Sequence, residues 1–405
     1  MTEHVIERLG LHGDGIAAGP VYVPLTLPGE VVRGELQGNR LGAVRVLTPS
    51  GDRVAPPCRH FKTCGGCQLQ HARDGFVADW KTGVVRQALA AQGLEAEMRP
   101  ILTSPARSRR RATLSARRTK KGALAGFHRR ASDVICAIDD CHLLHPDLMP
   151  ALAAAEALAR AGASRKGEMS VTATLADAGL DIAVTGGKPL DGPLQSLLAQ
   201  EAERLGLARL AWDGETVAMR ARPEHRFGPG AVLPPPGAFL QATREGEAAL
   251  LSAVREAVGA TGTAGVDLFA GCGTFTLPLA EQFTMHALEF EAGMLAALDQ
   301  GWRRAERVKR VTTEARDLFR NPVMAEDLTY DFAVIDPPRA GAEAQVGELA
   351  RSGVPVIAFV SCNPVTFARD AARLVAAGYA LDWVQLVDQF RWSSHIELAA
   401  RFSAT

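Results

Sequence analysis

The chain has 405 residues and carries 45 basic and 45 acidic side chains, for a formal net charge of zero. At 47% hydrophobic and 22% charged it can bury sizeable cores, which excludes a disordered chain, and its length points to about two or three domains. No apolar run reaches a bilayer span, Met1-Thr2-Glu3-His4 is no secretory leader, and seven unevenly spaced cysteines are no disulfide framework. A cytoplasmic monomer that needs no membrane is expected.

Residues 1–55 are rich in Gly, Val and Pro. Short runs such as Val21–Val23, Glu30–Glu35 and Ala43–Val46 are separated by Gly and Pro punctuation. This pattern predicts a small five-stranded barrel of the OB type, a fold that often binds single-stranded nucleic acid. Three cysteines follow within ten residues, Cys58, Cys64 and Cys67, with Gly65-Gly66 turning the chain between the last two. Thiolates this close act more often as ligands than as packing residues. A fourth ligand must come from further along, and Cys136 and Cys141 are both available. Zinc, with His60 or His71 assisting, competes with an iron–sulfur cluster.

Residues 74–92 predict one amphipathic helix, with Phe76, Trp80, Val84 and Ala88 at helical spacing and Gly93 as its stop. Between Arg99 and Arg130 stand eleven Lys or Arg and no acid, densest at Arg109-Arg110-Arg111, Arg117-Arg118 and Lys120-Lys121. Self-repulsion disfavours such a run unless a polyanion neutralises it, so the segment is expected to bind nucleic acid. Residues 131–235 alternate helix signals (147–161, 191–205) with strand signals (169–175, 180–184, 207–212). They carry no chemical motif and read as the rest of a central α+β domain over 56–235. Pro234-Pro235-Pro236-Gly237 marks its end.

From residue 236 the pattern becomes regular β/α alternation. A helix over 243–258 leads into Gly265-Val-Asp267-Leu-Phe269-Ala-Gly271-Cys-Gly273-Thr274-Phe275, a strand, glycine turn and helix start. The turn is neither the dinucleotide fingerprint nor a P-loop. The next strand ends at Glu289, where a carboxylate can accept the hydroxyls of a ribose. Together these features point to an adenosine cofactor without a pyrophosphate, and S-adenosylmethionine fits. Further strands end in Arg316-Asp317 and in Asp336-Pro337-Pro338-Arg339. The apolar run 354–361 delivers Cys362 at a strand end, where a parallel sheet places chemistry, although an arbitrary cysteine there is more often structural. After a helix over 365–377, strands over 380–387 and 395–402 complete the sheet, the last carrying Ser394-His395-Ile396-Glu397.

The order of these motifs resembles the S-adenosylmethionine-dependent RNA uracil-5 methyltransferases over nearly the whole chain, in particular the 23S ribosomal RNA members with a TRAM barrel and a [4Fe-4S] domain. The matching residues are Pro28-Gly29-Glu30; the cysteines; Phe239-Leu240-Gln241; 267–275; Asp336-Pro-Pro-Arg339; Ser361-Cys362-Asn363-Pro364; and His395-Ile396-Glu397. The resemblance implies an α/β Rossmann-like methyltransferase domain over 236–405, joined to the barrel and to a central α+β iron–sulfur domain. It implies Cys362 as nucleophile and Glu397 as base. It implies Gln241, Phe269, Thr274, Glu289, Asp317 and Asp336 at the cofactor, and Cys58, Cys64, Cys67 and Cys141 as cluster ligands. Ribosomal RNA is then the expected partner. The chain departs from the family at Thr243 and Thr274, where Asn is common, and at Phe390-Arg391-Trp392-Ser393, where the family tends to Phe-Pro-x-Thr. Arg339 is a candidate to lower the Cys362 pKa or to bind phosphate. The rival readings are a transfer RNA enzyme of the same kind, an amino-group methyltransferase and a non-catalytic RNA-binding iron–sulfur protein.

Overall fold

Three sheets organise the chain, whose computed structural model describes residues 2–405. The first is a closed five-stranded barrel of Glu3–Leu9, Gly15–Ala17, Val21–Val23, Val31–Gln37 and Arg40–Thr48. Alternating residues fill it, among them Ile6, Val23, Val32 and Leu41. Its Pro28-Gly29-Glu30 turn has a structural purpose. The Glu30 carboxylate is fully buried, accepts the Leu27 and Ser50 amides at 2.9 and 3.2 Å, and is paired with Arg53. Hydrogen bonds and the guanidinium hold its charge against the cost of burial.

The second sheet has seven strands in the order Glu215–Met219, Arg209–Trp212, Gly179–Thr185, Glu168–Ala176, Arg111–Thr119, Gly122–His128 and Ile135–Ala137. Helices Ala151–Gly162 and Gly192–Arg204 pack on it, because each keeps an apolar stripe that joins the sheet's core at Leu158, Leu198 and Trp212. The first helix was expected from 147. It is preceded instead by a separate 3-10 turn, Pro146–Leu148, since Pro146 and Pro150 each start a new turn.

The third sheet has eight strands in the order Val311–Ala315, Thr284–Glu289, Ala264–Leu268, Phe332–Ile335, Val356–Ser361, Leu398–Ala404, Tyr379–Asp388 and Glu97–Thr103. The first five run parallel. Leu398–Ala404 is antiparallel to both of its neighbours. Strand order reverses between Ala264–Leu268 and Phe332–Ile335, and that is where a crevice opens at the carboxyl ends.

Some assignments made from the sequence change. Residues 97–103, placed in the central domain, form the edge strand of the catalytic sheet, parallel to Tyr379–Asp388. The helix Asp74–Ala90 packs on the catalytic domain, as its amphipathic pattern allows, burying Val84, Val85 and Leu89 in that core. The basic segment is also less free than expected. Of its eleven cations, Arg99, Arg107, Arg110, Arg117 and Arg130 pair with Glu256, Asp140, Glu247, Glu168 and Asp14. Acids distant in sequence thus neutralise much of the run without any polyanion. Finally, His395–Glu397 precede the last strand rather than lying within it.

Candidate active site

One cavity of about 1010 Å³ opens above the crevice. All twelve residues singled out from the sequence line it: Cys58, Cys64, Cys67, Cys141, Gln241, Phe269, Thr274, Glu289, Asp317, Asp336, Cys362 and Glu397. The cavity thus runs from the cysteine segment to the ends of the catalytic strands.

Cys362 follows the strand Val356–Ser361, and Asn363 caps the next helix. The Asn363 side chain accepts the Val365 amide and Pro364 opens the first turn, so the thiol is fixed at the junction. Glu397 precedes the antiparallel neighbour. The ladder ends with Ser361 opposite Leu398, so Cys362 and Glu397 are the first residues beyond the two paired strands, and the Glu397 charge reaches the thiol. Glu397 is almost fully buried. Burial, and next the Asp336 charge, push its pKa up to about 8, while a hydrogen bond from Gln389 opposes the shift. Burial likewise pushes Asp336 up.

The Cys362 thiol does not behave as the sequence led us to expect. A lowered pKa was anticipated, with Arg339 as its cause. Burial, and then the charges of Glu397 and Asp336, push it instead up to about 12, and Arg339 only partly offsets them. Two carboxylates beside a half-buried thiol outweigh one guanidinium.

On the cofactor side, Glu289 accepts the Gly271 amide at 3.0 Å with one oxygen and the Phe290 and Glu291 amides with the other. It therefore shapes the glycine turn and also lines the cavity. Phe269 holds φ at 65°, in the left-handed region that a bulky residue rarely adopts, and its ring lies 5.5 Å from that of Phe319. Such strain is typical of residues held against a ligand. Asp267 is fully buried, accepts the Thr276 hydroxyl at 2.5 Å, and is pushed up to about 7 by burial. Thr243, one departure from the family pattern, caps the helix Arg244–Val258 by accepting the Gly246 amide at 2.9 Å.

At the other end, after the larger effect of burial, the charge of Cys141 raises the pKa of Cys58, Cys64 and Cys67, and at Cys64 the charge of Cys136 acts more strongly than that of Cys141. Cys136 lies outside the cavity lining. His71 lies outside the cavity lining, buried against Phe61, whereas His60 lines the cavity and pairs with Asp139 through Nε2. Among the described residues no three His, Cys, Asp or Glu side chains converge tightly enough for a single metal ion.

Sequence reasoning did not bring Arg109, Arg111 or Arg316 into the cavity, naming the first two only within the basic run and Arg316 only at a strand end, and it missed the exposed rings of Phe290 and Phe319. The run of arginines was a signal for the first two. For the phenylalanines, an aromatic placed just after a strand-end acid was the only hint.

The doubly wound sheet, with its glycine turn and strand-end acids, defines a methyltransferase. Residues 235–403 match the tRNA (uracil-5-)-methyltransferase family. An RNA methyltransferase of Rhizobium meliloti strain 1021 that has not been characterised is 43% identical, with 98% of this chain and 97% of that one covered. The 23S rRNA (uracil(1939)-C(5))-methyltransferase of Halomonas elongata is 32% identical over 98% of this chain and 88% of its own. The Pyrococcus abyssi tRNA (uracil-54, C5)-methyltransferase, solved with S-adenosyl-L-homocysteine, shares the fold over 99% of each chain at a TM-score of 0.78 and 22% identity. The chain belongs to the RNA uracil-5 methyltransferase family.

Proposed function

We propose that this enzyme methylates C5 of a uridine in ribosomal RNA, with Cys362 as nucleophile and Glu397 as base. The observation that carries this reading is that the thiol and the buried carboxyl leave the ends of two paired strands into one cavity, near enough for the Glu397 charge to act on Cys362. C5 of uracil is a poor nucleophile. Addition of the Cys362 thiolate at C6 forms a C–S bond and moves the ring electrons onto the C4 oxygen as an enolate. S-Adenosylmethionine, held by Gln241, Phe269, Thr274, Glu289, Asp317 and Asp336, supplies an electrophilic methyl group when bound. The enolate electrons form the C5–methyl bond, the cofactor leaving as its neutral thioether; Glu397 then takes the C5 proton, and the C–H electrons become the C5=C6 bond and expel the Cys362 thiolate.

An amino-group methyltransferase has no use for the neighbouring thiol and carboxyl, and a non-catalytic RNA-binding protein has no use for the strand-end acids. The likeness to a 23S rRNA enzyme along almost the whole chain favours ribosomal over transfer RNA.

Cys58, Cys64, Cys67 and Cys141 suit a [4Fe-4S] cluster. All four line one cavity, and the charge of Cys141 reaches the other three. When bound, such a cluster would tie residues 58–67 to Cys141.

The flipped uridine must leave its stack, at a cost of a few kcal/mol that RNA contacts offset. Arg109 and Arg111 at the cavity and the unpaired Arg118, Lys120 and Lys121 are placed to make them.

The test is an RNA containing 5-fluorouridine, whose C5 cannot release a proton. The wild type should be trapped as a covalent complex stable to denaturing electrophoresis, and Cys362→Ser should give none. An active wild type that forms no adduct would overturn the reading.

A further inference from the structure

We infer that Gln389 is a positioning residue that sets both the aim of Glu397 and the orientation of the Gln241 amide. The inference rests on the reading of Glu397 as the base.

Gln389 is 2% exposed, in the loop between the last two strands. Its Oε1 accepts the backbone amide of Ala242 at 2.8 Å. A backbone N–H can only donate, so this contact settles which end of the Gln389 side chain is oxygen. Its Nε2 must then face the other way. There it donates to Gln241 Oε1 at 2.5 Å and to Glu397 Oε2 at 3.2 Å. With its oxygen engaged, Gln241 has only its NH2 to present to the cavity it lines, and among the described residues that group donates to no protein acceptor. One buried amide therefore passes a fixed donor direction from the backbone to two residues of the site. Replacing it by an apolar side chain leaves the Gln241 amide free to turn over, and Glu397 without its donor.

The electrostatics add a consequence. Glu397 faces Asp336 and the Cys362 thiol across the cavity, with Arg339 beside the thiol and His395 two residues before it. Of these neighbours Gln389 is the one that donates a hydrogen bond to the carboxylate. Its donor favours the ionised form, which is the form a base must have. Without it the carboxyl holds its proton to higher pH. The step that suffers is removal of the C5 proton, since thiol addition and methyl transfer both precede it.

Gln389→Met keeps the volume and removes the amide. The expected result is wild-type trapping on 5-fluorouridine RNA, together with turnover of ordinary RNA lowered about ten- to hundredfold, less than the roughly hundred- to ten-thousandfold that losing a general base outright costs. The acid limb of its pH–rate profile should move upward, and a covalent complex with ordinary RNA should accumulate. Thermal unfolding and calorimetric titration of S-adenosylmethionine show whether the variant is folded. A folded Gln389→Met with the wild-type pH profile and no accumulated complex overturns the inference and leaves the base assignment standing. A variant that fails to fold is replaced by Gln389→Glu, which fills the site with an acceptor and should move the acid limb further upward; an unmoved limb would refute the inference. Absence of trapping by the wild type would instead overturn the underlying reading.

Discussion

Replacing Lys81 by Met should loosen the catalytic loop from behind. Lys81 lies on the helix Asp74–Ala90, with its side chain 1% exposed, and its Nζ reaches Asp388 Oδ1 at 2.7 Å and the Phe390 carbonyl at 3.3 Å. Asp388, 4% exposed, also accepts the Phe390 amide at 3.1 Å. Burial lowers the Lys81 pKa and the Asp388 charge opposes that shift. Losing the lysine leaves a desolvated carboxylate with one weak donor, and removing one member of such a pair costs about 3–5 kcal/mol. An exposed pair would contribute about 1 kcal/mol or less. Urea unfolding followed by tryptophan fluorescence reads the difference, because Trp383 and Trp392 flank the pair. The double variant Lys81→Met, Asp388→Asn removes both charges and keeps an acceptor for the Phe390 amide, so it should recover part of the loss. A single variant within about 1 kcal/mol of wild type, or a double variant that is simply additive, would refute the argument.

Activity and stability should respond to pH in opposite directions. The Glu397 pKa is raised to about 8 from an ordinary 4.5, so the folded protein holds that proton longer than the unfolded chain. Its contribution to stability is full below the ordinary value and is lost as pH rises toward 8, whereas the base becomes competent over the same climb. From about pH 6 to about pH 9 the turnover rate should rise and the unfolding temperature fall, and Glu397→Gln should flatten the second trend; equal slopes in both proteins would sink the assignment. Arg118, Lys120 and Lys121 sit on the hairpin of Arg111–Thr119 and Gly122–His128. Changing all three to Ala should lower the slope of log K against log salt for RNA by about 2–3, since each phosphate left without its cation takes away about 0.7–0.9, with cofactor affinity unchanged. An unaltered slope would place the RNA elsewhere. Anaerobic protein should be brown and absorb near about 400 nm, and Cys67→Ser should bleach it; a colourless wild type with stoichiometric zinc would exclude the cluster.

The features legible in the sequence were those written in local pattern. The strand ends at Asp267, Glu289 and Asp336 showed because an apolar run stops at glycine, acid or proline, and the Asn363-Pro364 cap showed because its chemistry lies within three residues. The barrel showed for the same reason. The features that stayed hidden depend on partners far along the chain. Glu97–Thr103 mixes charge with apolar residues and becomes a strand only because Tyr379–Asp388 offers it an edge. Lys81 looks like the polar face of an amphipathic helix until Asp388 arrives. Arg110 looks like one of three free cations until Glu247 meets it.

These distant contacts share a target. The Trp392 carbonyl accepts the amides of Gln68 and Leu69, directly after Cys67, at 2.8 and 2.9 Å. Lys81 holds Asp388 and Phe390, and Arg391 reaches Asp74 and the Ser104 carbonyl. Residues 388–397, which carry the base, are thus fastened from the cysteine segment and from the helix Asp74–Ala90 as well as by their own strand, whose Val387 amide donates to the Glu397 carbonyl at 2.9 Å. Trp392 keeps a left-handed φ of 59° there, a conformation that needs such fastening to persist. The cysteine segment and the base loop are therefore one mechanical unit. A change that loosens residues 58–69 should be felt first as slow release of methylated RNA, with cofactor binding at the glycine turn little altered.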